Sequence, residues 1–248
     1  MLKRFVCALQ FLTRLPVGFK PNITQNDFAR SMAFFPVVGV IVGCCLWLSY
    51  WLLGDMLIPE VIAAIILMVG IAITGALHLD GFMDTMDGLF CGRTRERRLE
   101  ILRDSRVGAH SVVSVVMLTL LKWALLLQLF QDGAMILPAL LLMPVYGRLN
   151  MVLATFFFPY VREEGLGKAF SQSLRRVDIS FAILFTAAFT GALLSWVGLA
   201  VGVVVIGTAM LSAAAITRLL GGLTGDVYGW INEISEVVWL FLLLLMLS

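Results

Sequence analysis

The stretch from Pro59 to Gly108 reads PEVIAAIILMVGIAITGALHLDGFMDTMDGLFCGRTRERRLEILRDSRVG. Its first part, residues 59–79, is apolar and carries a single formal charge, Glu60. The remainder is dense in aspartate and arginine, and a new apolar run starts at Ala109. Because a transmembrane helix needs roughly 20 apolar residues, the stretch predicts two membrane helices with a charged segment at the water boundary between them.

The composition extends this interpretation to the whole chain. Hydrophobic residues make up 60% of the 248 residues, charged residues make up 14%, and the mean hydropathy is +0.98, which excludes an ordinary soluble domain. Apolar runs lie near 34–53, 59–79, 109–130, 135–158, 179–197, 199–220 and 236–248. We therefore predict an all-α fold, a polytopic transmembrane helical bundle of about seven spans, forming a single integral membrane domain over residues 1–248.

The basic residues are distributed asymmetrically between the two sides of these spans. Of the 18 lysines and arginines, five precede the first run, six lie within 93–106 and four within 162–176. The opposite connections contain none and lie at 54–59, 131–134 and 197–198. By the positive-inside rule, the N-terminus, both long loops and the segment after the sixth span are expected on the cytoplasmic side.

The N-terminal segment, residues 1–20, has a helical stripe of apolar side chains. The stripe comprises Leu2, Phe5, Val6, Leu9 and Leu12. It predicts an amphipathic interfacial helix on the cytoplasmic leaflet, ended by Pro16. Packing of the same stripe against the bundle is an equally good interpretation.

The charged segment 80–107 contains a candidate metal site. Asp80, Asp84 and Asp87 are spaced at i, i+4 and i+7, so in a helix their carboxylates share one face. Oxygen ligands without accompanying Cys or His side chains favour Mg2+ or Mn2+ over zinc or copper. The alternative, a solvated helix with salt bridges, suits the downstream charges better, because no basic residue lies within several positions of these aspartates.

Six arginines follow the aspartates and predict phosphate binding. Guanidinium groups bind phosphate oxygens bidentately, while a carboxylate-held Mg2+ can bridge other oxygens of the same diphosphate. Candidate substrate-binding residues here are Arg93, Arg103, Ser105 and Arg106. Asp104 could supply a further carboxylate ligand.

A second polar segment, residues 221–236, is expected on the same side of the membrane and reads GGLTGDVYGWINEISE. Its candidate substrate-binding residues are Asp226, Glu233 and Glu236. Lys122 and Arg148 fall within predicted spans three and four, and charged residues inside spans are usually functional. We expect both to face the bundle interior and to pair with acids or with a phosphate.

Several motifs carry a family resemblance that is collinear across nearly the whole chain. They are FLTRLPV (11–17), FPVVGVIVG (35–43), HLDGFMDTMDGLF (78–90), RRLEILRDSRVG (97–108), REEGLG (162–167) and GGLTGD (221–226). Together they resemble the cobalamin synthase family, the adenosylcobinamide-GDP ribazoletransferases of the cobalamin lower-ligand pathway. The pairing of HLDGxxDTxDG with a later LEIxxDSRxG is the most specific part of the resemblance.

The resemblance implies a substrate and a cofactor. Members of this family are inner-membrane enzymes that require Mg2+, join α-ribazole or its 5'-phosphate to adenosylcobinamide-GDP, and release GMP. The implied partners are these small molecules and the lipid bilayer, with no nucleic acid, and a homo-oligomer is left open. The implied localisation is a bacterial or archaeal cell membrane, crossed several times, with the active-site motifs on the cytoplasmic side.

The substrates that the resemblance implies, taken together with the spaced aspartates, lead to a mechanism that we state as a hypothesis. The ribazole 5'-hydroxyl attacks the phosphorus joined to cobinamide, with GMP leaving, while Asp80, Asp84 and Asp87 hold one or two Mg2+ ions on the diphosphate. A loose transition state needs a general base only weakly. His78, Asp104 and Glu233 all remain candidates for that role.

Two other classes of protein fit part of the pattern. A different Mg-dependent membrane transferase, of the CDP-alcohol phosphotransferase or prenyltransferase kind, also holds a diphosphate on spaced aspartates, but neither of those motifs is complete here. A transporter would place polar residues near the bilayer midplane with internal repeats. Lys122 and Arg148 are the only comparable residues, and the sequence shows no repeat.

Overall fold

The computed structural model describes residues 1–19, 22–104, 106–162, 168, 170 and 173–247. The described residues form helices and connecting segments, with one isolated bridge between Tyr160 and Leu223. The helices are α1 (Leu2–Leu12), α2 (Gln25–Arg30), a 3-10 helix (Ser31–Phe34), α3 (Phe35–Leu53), α4 (Pro59–Thr74), α5 (Leu77–Cys91), α6 (Arg95–Ile101), α7 (Ala109–Asp132), α8 (Ile136–Phe157), α9 (Arg176–Leu220) and α10 (Gly225–Leu247). The predicted all-α membrane fold is confirmed.

Five of these helical segments are long and apolar enough to cross a membrane, and a sixth span results if α4 and α5 are counted together. The 45-residue α9 is long enough for two crossings. It is interrupted at Ser195, whose φ of 58° and ψ of −153° are not helical. Counting α9 twice gives seven spans within the described part of the chain, the number expected from the sequence.

Tyr146 shows that the chain reverses direction at this break. Its hydroxyl hydrogen-bonds Thr190 at 3.1 Å, and a Cβ added to Gly202 would overlap the same hydroxyl group. Twelve residues along a straight helix would separate Thr190 and Gly202 by roughly 18 Å. The two halves of α9 therefore run antiparallel. The reversal lies at Ser195, close to the connection that the sequence predicted at 197–198.

The span predicted over 59–79 is broken between α4 and α5. Gly75 and Ala76 both have positive φ, 61° and 59°, and the two helices meet at 93°. The side chain of Arg14 packs directly on Gly75, where a Cβ would overlap it. This break turns α5 toward the charged loops.

Close glycine contacts fix α5 against α10. A Cβ on Gly81 would lie 2.7 Å from the backbone oxygen of Asp226, and one on Gly229 would lie 2.7 Å from the backbone oxygen of His78. Gly81 is thus level with the second residue of α10. The later part of α5, from Gly81 to Cys91, lies beyond the spanning part of the bundle, among the loops.

Helix α8 forms the centre of the bundle, since 89% of its apolar membrane-spanning stretch is buried. Gly39 and Gly43 of α3 lie against its backbone, where added Cβ atoms would come within 2.8 Å of Val145 and Leu141. Small residues four apart allow this close helix approach in membrane proteins. The central position of α8 explains why its polar side chains, including Arg148, are enclosed by protein.

The charged connections collect at one end of the bundle, here called the polar end, which carries residues 92–104, 106–108, 158–162 and 221–224. Hydrogen bonds join these connections, from Arg95 Nε to the Leu220 carbonyl at 2.8 Å and from the Val161 N–H to the Leu223 carbonyl at 2.9 Å. At the opposite end, Met135, Ser195 and Met246 line a common hollow. Successive connections thus lie at alternate ends of the bundle, in the order that the predicted spans require.

Three boundaries differ from the sequence prediction. Helix α10 starts at Gly225 and not near residue 236, so most of the segment 221–236 is part of the last span. Much of the segment 80–107 is helical, in α5 and α6. Helix α1 ends at Leu12, before Pro16. It packs on the bundle, where Phe5 contacts Phe34 and Phe11 contacts Phe35.

Candidate active site

A cavity of about 330 Å3 lies between α5 and the segment that follows α6. We call this segment the arginine loop and define it as residues 102–104 and 106–108. The charged residues that line the cavity are Asp80, Asp84, Arg103, Asp104 and Arg106. Ser105, also a candidate in the sequence, lies outside the described residues.

Asp80 and Asp84 are one helical turn apart on α5 and both face this cavity. Among the described residues, neither carboxylate has a hydrogen-bond or ion-pair partner. Burial, together with the charges of Asp226 and Asp80, raises the pKa of Asp84 to about 6. This concentration of negative charge, which Arg162 offsets only in part, favours binding of a cation.

Asp87, the third aspartate of the motif, does not line the cavity. It is 6% exposed, and its two carboxylate oxygens accept hydrogen bonds from the backbone N–H groups of Gly108 at 2.8 Å and Ser111 at 3.0 Å. These N–H groups belong to the first turn of α7, which has no carbonyl partners for them within its own helix. Asp87 therefore caps α7 from a neighbouring helix.

The arginine loop contains a compact ion pair. Arg106 donates from Nε and Nη2 to both oxygens of Asp104, with the closest contact at 2.6 Å. The pair lowers the pKa of Asp104 to about 2. Arg103 lines the cavity and is exposed, whereas Arg93 is exposed near the end of α5 and does not line it.

Asp226 at the start of α10 adds a fourth acid near the cavity, and its charge contributes to the raised pKa of Asp84. The Asp226 carboxylate accepts a hydrogen bond from Arg162 Nη2 at 2.6 Å. The same nitrogen donates to the carbonyl of Leu102 at 2.8 Å. Arg162 therefore connects α10 to the arginine loop, a role that the sequence did not suggest, although REEGLG begins with this residue.

Glu233 and Glu236 lie deeper in the bundle, since seven and ten residues separate them from Asp226, or roughly 10 and 15 Å along α10. Lys122 Nζ contacts Glu233 at 2.5 Å and Glu236 at 2.6 Å. Arg148 Nη1 contacts the other oxygen of Glu236 at 2.5 Å. The expectation that Lys122 and Arg148 pair with acids inside the bundle is confirmed.

His78 belongs to this buried network and not to the cavity. It is 2% exposed, and its Nδ1 lies 3.4 Å from Nη2 of Arg148. A separate hollow of about 60 Å3 is lined by His78 and by the four charged residues of the network, among other residues. The charged residues of the sequence motifs thus separate into two groups, one that lines the acidic and arginine cavity and one that forms a buried ion network.

No group of three or more His, Cys, Asp or Glu side chains in the described ranges is already arranged to hold a metal ion. The nearest approach to such a site is Asp80 with Asp84, whose carboxylates are hard oxygen donors of the type that Mg2+ prefers. Their lack of partners and their mutual repulsion fit a cation site with two protein carboxylates. Water and phosphate oxygens would supply the other positions of such a site.

The raised pKa of Asp84 leads to a prediction about stability. Because the folded-state pKa, about 6, lies above the reference value of 3.8, ionised Asp84 destabilises the fold. This cost grows as the pH rises from about 4 to about 6 and stays constant above that range. In the presence of a metal chelator, Asp84→Asn is therefore expected to raise the unfolding temperature at about pH 7.5, with the difference shrinking toward pH 4.

Thermal unfolding of both proteins in detergent, followed at several pH values, measures this difference. Asp55→Asn is the matched control, since Asp55 is an exposed acid at the opposite end of the bundle. An Asp84→Asn protein that is less stable than the parent at neutral pH would contradict the electrostatic description of the cavity.

The helical bundle and its cavity define a polytopic membrane protein with an acidic and arginine-lined site at one end. The family model described as cobalamin-5-phosphate synthase matches residues 4–244. The chain belongs to this family.

Curated relatives agree over the full length of the chain. An adenosylcobinamide-GDP ribazoletransferase from Desulfitobacterium hafniense (strain Y51) is 38% identical, with 96% of this chain and 95% of the relative covered. One from Syntrophobacter fumaroxidans is 39% identical, with 96% of each chain covered. One from Clostridium acetobutylicum is 35% identical, with 96% of this chain and 94% of the relative covered. No solved structure matches the chain.

Proposed function

We propose that this chain is an adenosylcobinamide-GDP ribazoletransferase, which joins α-ribazole or its 5'-phosphate to adenosylcobinamide-GDP with release of GMP. The family match over residues 4–244 carries this proposal. The cavity supports it, because Asp80 and Asp84, which have no partner among the described residues, lie there beside arginines and suit a substrate that contains a diphosphate. The product would be adenosylcobalamin or its 5'-phosphate.

In this proposal, Asp80 and Asp84 hold Mg2+ at the cavity, with Asp226 as a further acid nearby. The ion, when bound, neutralises charge on the diphosphate and on the leaving phosphate of GMP. Arg103 and Arg106 face the same cavity and can donate to phosphate oxygens. The chain itself then supplies position and charge stabilisation, which are the main requirements of phosphoryl transfer.

The positions of the three candidate residues make each of them a poor general base, and the proposed reaction does not require one. His78 and Glu233 are enclosed in the buried ion network. Asp104 lines the cavity, but its ion pair with Arg106 keeps its pKa about 2, so it would accept a proton only weakly. This arrangement agrees with a loose transition state in which the attacking hydroxyl loses its proton late.

The direct test is incubation of the purified protein with adenosylcobinamide-GDP, α-ribazole and Mg2+, followed by measurement of GMP and corrinoid product. We expect GMP release that depends on both substrates and is abolished by a metal chelator. Release of CMP from a CDP-alcohol, or of inorganic diphosphate from a prenyl diphosphate, in place of GMP would favour another membrane transferase and overturn the proposal.

We also propose that the polar end faces the cytoplasm across a bacterial inner membrane. The described lysines and arginines lie at this end, apart from Lys122 and Arg148 in the network, and positive charge marks the cytoplasmic side. Cys91 is exposed at the polar end, so a membrane-impermeant maleimide should label it in inverted vesicles but not in intact spheroplasts. In a Cys91→Ser background, a cysteine introduced at Asp55 should show the reverse pattern, and equal patterns would contradict this orientation.

A further inference from the structure

The three aspartates of the motif do not share one environment. Asp80 and Asp84 face the cavity and have no partner within the described part of the chain, whereas both oxygens of Asp87 are hydrogen-bonded to backbone N–H groups of α7. A carboxylate that accepts two such bonds at 2.8 and 3.0 Å satisfies donors that would otherwise be left without partners in a buried position. This division gives Asp87 a task different from that of its neighbours.

The position of Gly108 shows how closely Asp87 and α7 are fitted. A Cβ added at Gly108 would lie 2.5–2.7 Å from the carboxylate atoms of Asp87. Gly108 is the N-cap residue of α7 and has extended backbone angles, φ −89° and ψ 168°, which any residue can adopt. Glycine is therefore needed here because of the Asp87 carboxylate, and not because of the backbone.

The capped turn also bounds the cavity. Val107 of the arginine loop and Ser111 of α7, on either side of Gly108, both line the cavity. The bonds from Asp87 tie this part of the loop to α5, the helix that carries Asp80 and Asp84. Losing them would release one wall of the cavity from the helix that carries its acids.

We propose that Asp87 is a positioning residue that caps α7 and holds the arginine loop over Asp80 and Asp84, and that it does not ligate the divalent cation. The inference rests on the proposed function, which places the cation at Asp80 and Asp84. Asp87 acts on the reaction only through the loop.

The test uses the full-length protein in detergent and two measurements that do not depend on turnover. Binding of Mn2+ in the presence of GDP is followed by electron paramagnetic resonance, and backbone amide exchange is followed over residues 106–112. For Asp87→Ala we expect amide exchange at the start of α7 to rise by about tenfold, the usual effect of losing an N-cap. The Mn2+ affinity should stay within about twofold, because both Asp87 oxygens face the backbone N–H groups of α7 and Asp87 does not line the cavity.

A matched rescue follows from the contact with Gly108. In Asp87→Ala the space for a Cβ at residue 108 is open, so Gly108→Ser can supply a local cap to the Ser111 N–H. The double variant Asp87→Ala/Gly108→Ser should regain amide protection, whereas Gly108→Ser alone should lose it because its side chain overlaps the Asp87 carboxylate. A metal ligand would not be replaced by a serine at this position.

Asp84→Ala serves as the reference for loss of a cation ligand, and Asp87→Asn, which keeps one acceptor oxygen, is used if the alanine variant does not fold. The proposal is overturned if Asp87 variants lose Mn2+ binding as Asp84→Ala does while amide exchange is unchanged. Absence of Mn2+ binding in the parent protein would instead contradict the cation site of the proposed function, and the exchange data would still decide the role of Asp87.

Discussion

Asp84→Asn is expected to lower turnover by about 10²- to 10³-fold, the usual effect of removing a group that stabilises transition-state charge. The asparagine has nearly the same shape and stays neutral, so it cannot hold the cation or offset the charge that develops on the leaving phosphate. The same loss is expected for Asp80→Asn, since both carboxylates face the cavity and neither is paired with any residue that the structure describes. GMP release measured over a range of Mg2+ concentrations provides the comparison.

The control is Asp55→Asn, which makes the same chemical change in an exposed acid at the opposite end of the bundle and should leave turnover unchanged. The Asp84→Asn protein is expected to unfold at a higher temperature than the parent in the absence of metal, so loss of activity cannot be attributed to loss of folding. Undiminished turnover of Asp84→Asn at ordinary Mg2+ concentrations would remove the central assignment of the cavity.

The fold was predictable from the sequence because its main determinants are local. Runs of about 20 apolar residues fix the spans, and the charged connections mark one end of the bundle. Helical spacing also correctly placed Asp80 and Asp84 one turn apart on one face of α5. These inferences need only the period of a helix and the thickness of a membrane.

The role of Asp87 depends on tertiary contacts that spacing does not encode. Its position at i+7 predicts the same face as Asp80, yet α7 begins beside it and presents two backbone donors. Arg162 was overlooked for a similar reason, because its partner Asp226 is 64 residues away in the chain. For both Asp87 and Arg162, the only sequence signal was a charged residue in a motif that contains glycine. Such a signal marks a residue as a candidate but does not say which residue it contacts.

The break between α4 and α5, and the exact position of the break within α9, also lie beyond local prediction. Gly75 resembles any other small residue within an apolar run, and its break with Ala76 becomes necessary only because α5 must pack on α10 through Gly81 and Gly229. The sequence predicted a reversal at 197–198, and the tertiary contacts of Tyr146 and the backbone angles of Ser195 show that it lies at Ser195. Apolar composition fixes the number of crossings, whereas packing fixes where each one bends.

The ion network inside the bundle leads to the second large prediction. Glu236→Gln is expected to lower the free energy of unfolding by about 3–5 kcal/mol, the usual cost of breaking a buried ion pair by removing one partner. Glu236 is 6% exposed and contacts both Lys122 and Arg148. Without its charge, the two cations share the single carboxylate of Glu233, and one positive charge remains uncompensated within the spans.

A charge-balanced double variant separates this electrostatic cost from simple loss of contacts. Lys122→Met and Glu233→Gln each leave the network with an unbalanced charge, whereas the two together leave the neutral pair of Arg148 and Glu236. The double variant should therefore be more stable than either single variant, because replacing a buried pair by neutral groups costs much less than breaking it. Denaturant unfolding of the parent, the two single variants and the double variant in one detergent gives the four free energies of this double-mutant cycle. If the two single losses of unfolding free energy simply add in the double variant, the network is not electrostatically coupled.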